Sequence, residues 1–474
     1  MRGYTRVKMD KQCRVRGVNA GASCCLRGLP LRIQGGWCLL VVMVAMAIPL
    51  LHCNLCAQVR PLVRPLGPVV RVSPPGVLGS VSAVRALPEG NLIVHDLARR
   101  QVLLLDSNLR KVRTIADTTA MTGMAYGARL CGLMAFAGDS TLFIDPASNS
   151  MAIIDPEGNV ARVIAVPSVE DANLLVGGPF GTPGVDPRGN IIYRGYGRAK
   201  GLPLRVSEQA APELASKPDS APLFRVALAT RERHVVGQVA IPMQSASSSF
   251  DATGRITGTV LYVTPLPIVD AWALLPDGRI AVVRGADYHV DWLMLDGQWS
   301  STPKIPFNWR RLDDVERERV LDSVRTEFGR ERDRLDQLGR RLSGDSRALM
   351  SAGSESALAA GTVFTLTRPG VTSGASRMQL TIPVVRLVSA AELPDYYPAF
   401  KTGALRVDAE GRLWVLTTEP SRLGPIYDVI DGKGELVDRV RLPFGRVIAG
   451  FARGVVFMGV LDDAGARLEI AKIK

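Results

Sequence analysis

The chain has 474 residues, 46 of them glycine and 31 proline, with 47% hydrophobic residues and few aromatics. It is rich in turn formers without the bias of a disordered chain, and reads as globular and all-β. The net charge of +13 does not mark a nucleic-acid binder, because +7 of it falls in residues 1–57 and the +6 scattered over the other 417 makes no phosphate-tracking stripe.

The first element is a leader. Trp37 to Leu51 is a run of fifteen apolar residues preceded by basic ones. It is short for a membrane span of about 20 residues but suits a signal-peptide core. Leu55-Cys56-Ala57 offers small residues for cleavage before Gln58. Lipidation at Cys53 or Cys56 and retention as an uncleaved anchor stay open; each places the bulk of the chain in the periplasm or outside the cell. The basic stretch ahead of the apolar run is long, which points to a true start downstream of Met1. Six of the seven cysteines lie in the leader, so residues 58–474 can form no intramolecular disulfide and no zinc knuckle. Cys131, between Leu130 and Leu133, reads as an inert core thiol.

Next comes a repeat. Leu87-Pro88-Glu89-Gly90-Asn91 leads into Leu92–Asp96 and then Gln101–Asp106. The figure returns as Leu142–Asp145 with Met151–Asn159, as Asp186–Tyr193, as Leu275–Val283 with Trp292–Gly297, and as Val407–Val415 with Val429–Gly434. A degenerate copy, Ala452–Met458, ends the series. Asp-x-x-Gly and Pro-Asp-Gly supply tight hairpins, and short β-rich runs flank each one. Each unit makes a four-stranded antiparallel sheet with two apolar faces, and stacking such sheets around an axis buries both. Six units start near 81, 124, 180, 270, 402 and 448. The expected fold is an all-β, six-bladed β-propeller over residues 58–474. Pro68 to Pro74 is expected to close the ring by adding a strand to the last blade.

Three insertions interrupt the repeat. Residues 197–222 and Ser245 to Gly254 read as mobile loops. Residues 308–343 alternate in charge, with Leu321, Val324, Phe328, Leu335, Leu338 and Leu342 on one stripe, and predict an amphipathic helix. It either lies against the propeller or docks a partner through 310–342. Ser343 to Gly361 reads as a flexible return.

At these residues the chain resembles the NHL-repeat and gluconolactonase/regucalcin-like six-bladed propellers, most closely over Leu92–Asp96, Arg99, Arg100 and Gln101–Asp106. The second blade keeps Asn149 but lacks the arginine, and later blades keep mainly the glycine turn. The overall layout is similar to exported six-bladed propellers of bacteria. Ligands of such proteins meet the loops at one end of the channel, where each inner strand begins and each second strand ends. By that register the candidate binding residues are Asp96, Arg99, Tyr126, Asp145, Arg194, Asp270, Trp272, Arg284, His289 and Lys401. A repeated Asp, as at 96 and 145, more often caps a turn than binds a metal. His95 reads as a packed or solvent-facing strand residue, and His234 carries no role.

Lactonases of the resembled group hold a divalent cation with Glu, Asn and Asp from several blades. No clear match stands here: Val81-Ser82-Ala83 occupies the position of the first glutamate. The chain carries no GxSxG, HExxH, Walker or dinucleotide motif. The reading is therefore a non-catalytic binding or scaffold propeller of the cell envelope with no cofactor, acting on a protein partner or small-molecule ligand. It touches no nucleic acid, and meets a membrane only through the leader. The alternative is a metal-dependent hydrolase or lactonase with calcium at the channel mouth.

Overall fold

A computed structural model describes residues 60–119, 126–127, 130–196, 215–216, 219–242, 245–250, 256–341, 384–462 and 465–474. The leader over 1–57, most of the loop expected over 197–222 and the return over 343–361 lie outside them. Among the described residues no helix is long and apolar enough to cross a membrane.

Six sheets follow one another along the chain, each running from an inner to an outer strand. The inner strands are Val81–Ala86, Gly132–Ala135, Gly184–Val185, Ala271–Leu274, Phe400–Val407 and Arg446–Ala452. Among the described residues the second blade's inner strand is Gly132–Ala135, and Tyr126 packs between blades one and two. Hairpins join inner to second strands as the turn chemistry dictates. In Leu275–Arg279, the Leu275 amide donates to the Arg279 carbonyl at 2.9 Å. Asp277 accepts from the Arg279 amide at 3.0 Å. Gly278 takes the positive φ (85°) that the turn requires.

A separate apolar cluster fills every interface between successive blades. Ile93, Val102 and Phe143 join one to two; Leu142, Ile191 and Tyr193 join two to three. Ile192, Trp272 and Val282 join three to four, and Val283, Phe400 and Leu413 join four to five. Trp414, Val440 and Met458 join five to six, and Leu92, Val94, Phe457 and Leu468 join six back to one. The last cluster closes the ring. It is what lets sheets with two apolar faces hide both.

The N-terminal segment locks that closure. Val69–Val72 pairs antiparallel with Gly465–Lys472 as the outer strand of blade six; the Ser73 amide donates to the Leu468 carbonyl at 2.9 Å, and the Leu468 amide donates to Ser73 Oγ at 3.0 Å. Just before it, Val63–Pro65 pairs parallel with Leu436–Arg441, giving blade five a fifth strand. The Arg64 Nε donates to Asp438 across this pair at 2.9 Å. One short stretch therefore ties the two last blades to each other.

One feature departs from expectation. A seventh sheet stands outside the ring, in the order Ala215–Ser216, Ser245–Phe250, Ile256–Val263, Val384–Leu387. The serine-rich stretch from Ser245 is thus a strand up to Phe250, not a loop; its pairing with Ile256–Val263 supplies the order its composition lacks. The insertion helix, α1, runs Asp314–Arg341. Asp313 caps it, accepting from the Glu316 amide at 2.8 Å. Leu321 is fully buried with Leu266, Leu312 and Leu393, so the first half of the stripe is anchored on the protein's own surface. Val324 and Phe328 are half-buried. The side chains at 335 and 338, and all of Leu342, lie outside the described residues.

Candidate functional site

The inner strands begin and the second strands end at one end of the ring, here called the entrance. Asp96, Asp145, Arg194 and Arg284 occupy equivalent last positions of the second strands in blades one to four. With the other candidates, they fall by environment into two groups and an outlier.

The first group serves the backbone. Asp96 is fully buried and accepts from the amides of Gly79 (2.6 Å), Ser80 (3.0 Å) and Arg99 (3.1 Å). Arg99 returns along the same loop, donating to the carbonyls of Val77 and Gly76 at 2.6 and 2.8 Å. Asp145 accepts from the amides of Gly127 and Ala147 at 3.1 and 3.2 Å. These carboxylates latch the connection that enters their blade.

Tyr126 is buried between blades one and two, its ring edge-on to Phe143 with centroids 5.2 Å apart. Its hydroxyl lies 3.5 Å from Nε2 of His95, which is fully buried, and the Ser82 hydroxyl lies 2.6 Å from Nδ1. Burial pulls the His95 pKa down from 6.5 to about 4, so the ring is neutral at neutral pH. Burial also pushes the Cys131 thiol up, away from thiolate chemistry.

The second group meets where blades three, four and five converge. Asp270, just before the inner strand of blade four, accepts from the Ala240 amide (2.9 Å), the Gly285 amide (3.2 Å) and Arg284 (2.7 Å). Arg284 also donates to Asp291 at 2.7 Å. His289 lies between Asp287 at 2.6 Å and Asp291 at 3.1 Å. This chain of charges runs outward along the entrance rim of blade four. Lys401 is the outlier, exposed at the start of the inner strand of blade five.

The inner strands are hydrogen-bonded on one edge, so their other edge faces the channel. A turn from the blade-three connection, Gly178–Phe180, comes to that free edge. Thr182 donates its amide to the Trp272 carbonyl at 3.0 Å and accepts from the Leu274 amide at 3.1 Å. Its hydroxyl donates to the Leu405 carbonyl of blade five at 3.2 Å. The segment therefore occupies the channel side of blades four and five at the entrance. Trp272 holds it by donating to the Phe180 carbonyl at 2.8 Å. Gly181, with φ at 106°, lies so close that a Cβ there would stand 2.1 Å from Trp272 Nε1. Only glycine fits.

Behind this turn is a cavity of about 10 Å³, room for one water-sized group, lined among others by Phe180, Gly181, Arg194, Asp270, Trp272 and Leu405. Three of the residues chosen from sequence meet there, and a fourth, Arg284, touches it through Asp270. Phe180 and Gly181 escaped the sequence reading. Their glycine- and proline-rich stretch announces a turn, but nothing local says that the turn reaches the channel.

A larger ionic cluster was also missed. The Tyr288 hydroxyl donates to Asp428 at 3.0 Å, Arg439 donates to Asp428 at 2.9 Å and to Glu419 at 2.5 Å, and Arg60 pairs with Glu419. Asp428 is fully buried, and that burial pushes its carboxyl pKa up even against the adjoining arginine. The cluster ties blade four, blade five and the N-terminal segment together.

A divalent cation would need several carboxylate or carbonyl oxygens free to converge on one point. Asp96, Asp145 and Asp270 instead have backbone N–H groups directed at their oxygens. Among the described residues no three His, Cys, Asp or Glu side chains are grouped to hold a metal. The entrance carboxylates do not fit that ion.

No family model and no curated protein matches the chain. Solved structures do. It is similar to an inactivated virginiamycin B lyase from Staphylococcus aureus, at 9% identity over 85% of this chain and 99% of that one, with a TM-score of 0.34. A gluconolactonase from Xanthomonas campestris matches at 12% identity over 86% and 99%, with a TM-score of 0.33. A calcium-binding regucalcin from Agrobacterium tumefaciens matches at 12% identity over 87% and 98%, with a TM-score of 0.34. Likeness at this level concerns architecture alone. Six radial sheets with six interfacial cores make this chain a six-bladed β-propeller.

Proposed function

We propose that the chain is a non-catalytic binding propeller that works outside the cytoplasm and engages a small-molecule ligand or a protein partner. The observation that carries this reading is the commitment of the entrance carboxylates to the protein's own loops. Asp96, Asp145 and Asp270 together accept from seven backbone amides, which leaves them poor ligands for a catalytic cation. The apolar run Trp37–Leu51 behind a basic stretch supports export. Helix α1, anchored at Leu321, is proposed as a second docking element within 310–342.

Calorimetric titration of the full chain with calcium, run beside a lactone-hydrolysis assay, tests the reading. The expected outcome is no saturable calcium heat and no calcium-dependent turnover. Stoichiometric calcium binding accompanied by hydrolysis would replace the reading with that of a metal-dependent lactonase.

A further inference from the structure

Arg194 ends the second strand of blade three and is 9% exposed, inside the cavity behind the Gly178–Phe180 turn. Its Nε is buried with no hydrogen-bond partner, and its guanidinium makes no ion pair among the described residues. The side chain rests on the Phe180 ring, 5.0 Å from its centroid. A buried cation without an ion pair is costly, since desolvation takes away hydration that the Phe180 ring face replaces only in part. Burial does lower the Arg194 pKa, to about 10, which still leaves the group charged at neutral pH. The one carboxylate in the lining, Asp270, is turned to Arg284 and to the Ala240 and Gly285 amides. The cavity keeps one positive charge and room for one small group.

We infer that this cavity binds a small monovalent anion on the Arg194 guanidinium, either a free halide or the carboxylate of a small organic ligand. A guanidinium presents a planar fork of N–H donors matched to a carboxylate, and a halide accepts from the same donors. The Phe180 ring and the Trp272 indole line the site, and apolar walls of this kind strengthen the pairing. Larger or doubly charged anions do not fit the space. The inference deepens the binding reading and rests on it, yet fails separately. A missing anion site leaves the calcium and lactone result untouched, and calcium-dependent turnover would not remove the anion.

The test is thermal denaturation of the full chain at constant ionic strength in sulfate, titrated with chloride or with formate. The wild type is expected to gain stability saturably with at least one of them; response to formate alone identifies a carboxylate site, and response to chloride a halide site. In Arg194→Met the apparent affinity is expected to fall about tenfold or more, the value of one charge-assisted hydrogen bond. Arg194→Lys keeps the charge and is expected to retain a weaker response. No saturable response in the wild type overturns the inference, and so does an equal response in Arg194→Met. Should the methionine variant not fold, calorimetry of the wild type with formate and with chloride decides alone: no 1:1 binding of either overturns it.

Discussion

Replacing Arg439 by methionine is expected to lower the free energy of unfolding by about 3–5 kcal/mol, the cost of removing one partner from a buried ion pair. Arg439 is 5% exposed and bonds both Asp428, fully buried, and Glu419. Methionine fills similar space but leaves Asp428, among the described residues, with the Tyr288 hydroxyl as its one side-chain hydrogen bond and leaves Glu419 with Arg60. The loss arises from an uncompensated buried charge, not from a cavity. The double variant Arg439→Met, Asp428→Leu is therefore expected to recover part of it, because an apolar pair needs no compensation. Chemical denaturation measures both. A single-variant change below about 1 kcal/mol, typical of a surface pair, would show that the cluster is solvated.

Acidification is expected to cost the protein about 2 kcal/mol through His95 alone between pH 7 and pH 4.5. The sign follows from proton binding. The unfolded chain takes up a proton on this ring near pH 6.5, whereas the folded chain refuses it until about pH 4. Between those values the unfolded state holds more protons, so stability falls as pH drops through that window and His95 contributes no further loss below about 4. The cause is burial among Tyr126 and Phe143, with ring centroids 6.2 and 6.4 Å away. Asp96, next along the strand, opposes the effect more weakly. In His95→Gln the side chain stays neutral at every pH, and the difference between urea unfolding at pH 7 and pH 4.5 is expected to shrink by that amount. An unchanged pH dependence in the variant would contradict the assignment.

Much of this architecture is written in local chemistry. The Asp-x-x-Gly and Pro-Asp-Gly turns at 186–189, 276–278 and 408–411 mark where inner strands fold back, because their hydrogen bonds close within five residues. The strand near Pro68 was legible as a closing piece from the shortage of strands in the last blade. Val63–Pro65 was not: three residues paired in parallel to Leu436–Arg441 carry no alternation of their own. Likewise Ser245–Phe250 becomes a strand by pairing with Ile256–Val263, which in turn pairs with Val384–Leu387 from a distant part of the chain. Of the ten residues chosen for the entrance, Arg194, Asp270 and Trp272 line one cavity, since register along repeated strands is readable from sequence. What each side chain does there was not readable. Asp96 and Asp270 look alike in sequence terms, and only the path of the preceding loop decides which donors reach them. Asp428 and Arg439 read as ordinary strand charges until strand pairing buries them.

The account turns on the entrance carboxylates being spent on the backbone. Residue-resolved amide hydrogen exchange, with and without millimolar calcium, addresses that most directly. Slow exchange at Gly79, Ser80, Ala240 and Gly285, unaltered by calcium, is the predicted result. Exchange at these four amides as fast as in an open loop, or protection that changes on adding calcium, would contradict it.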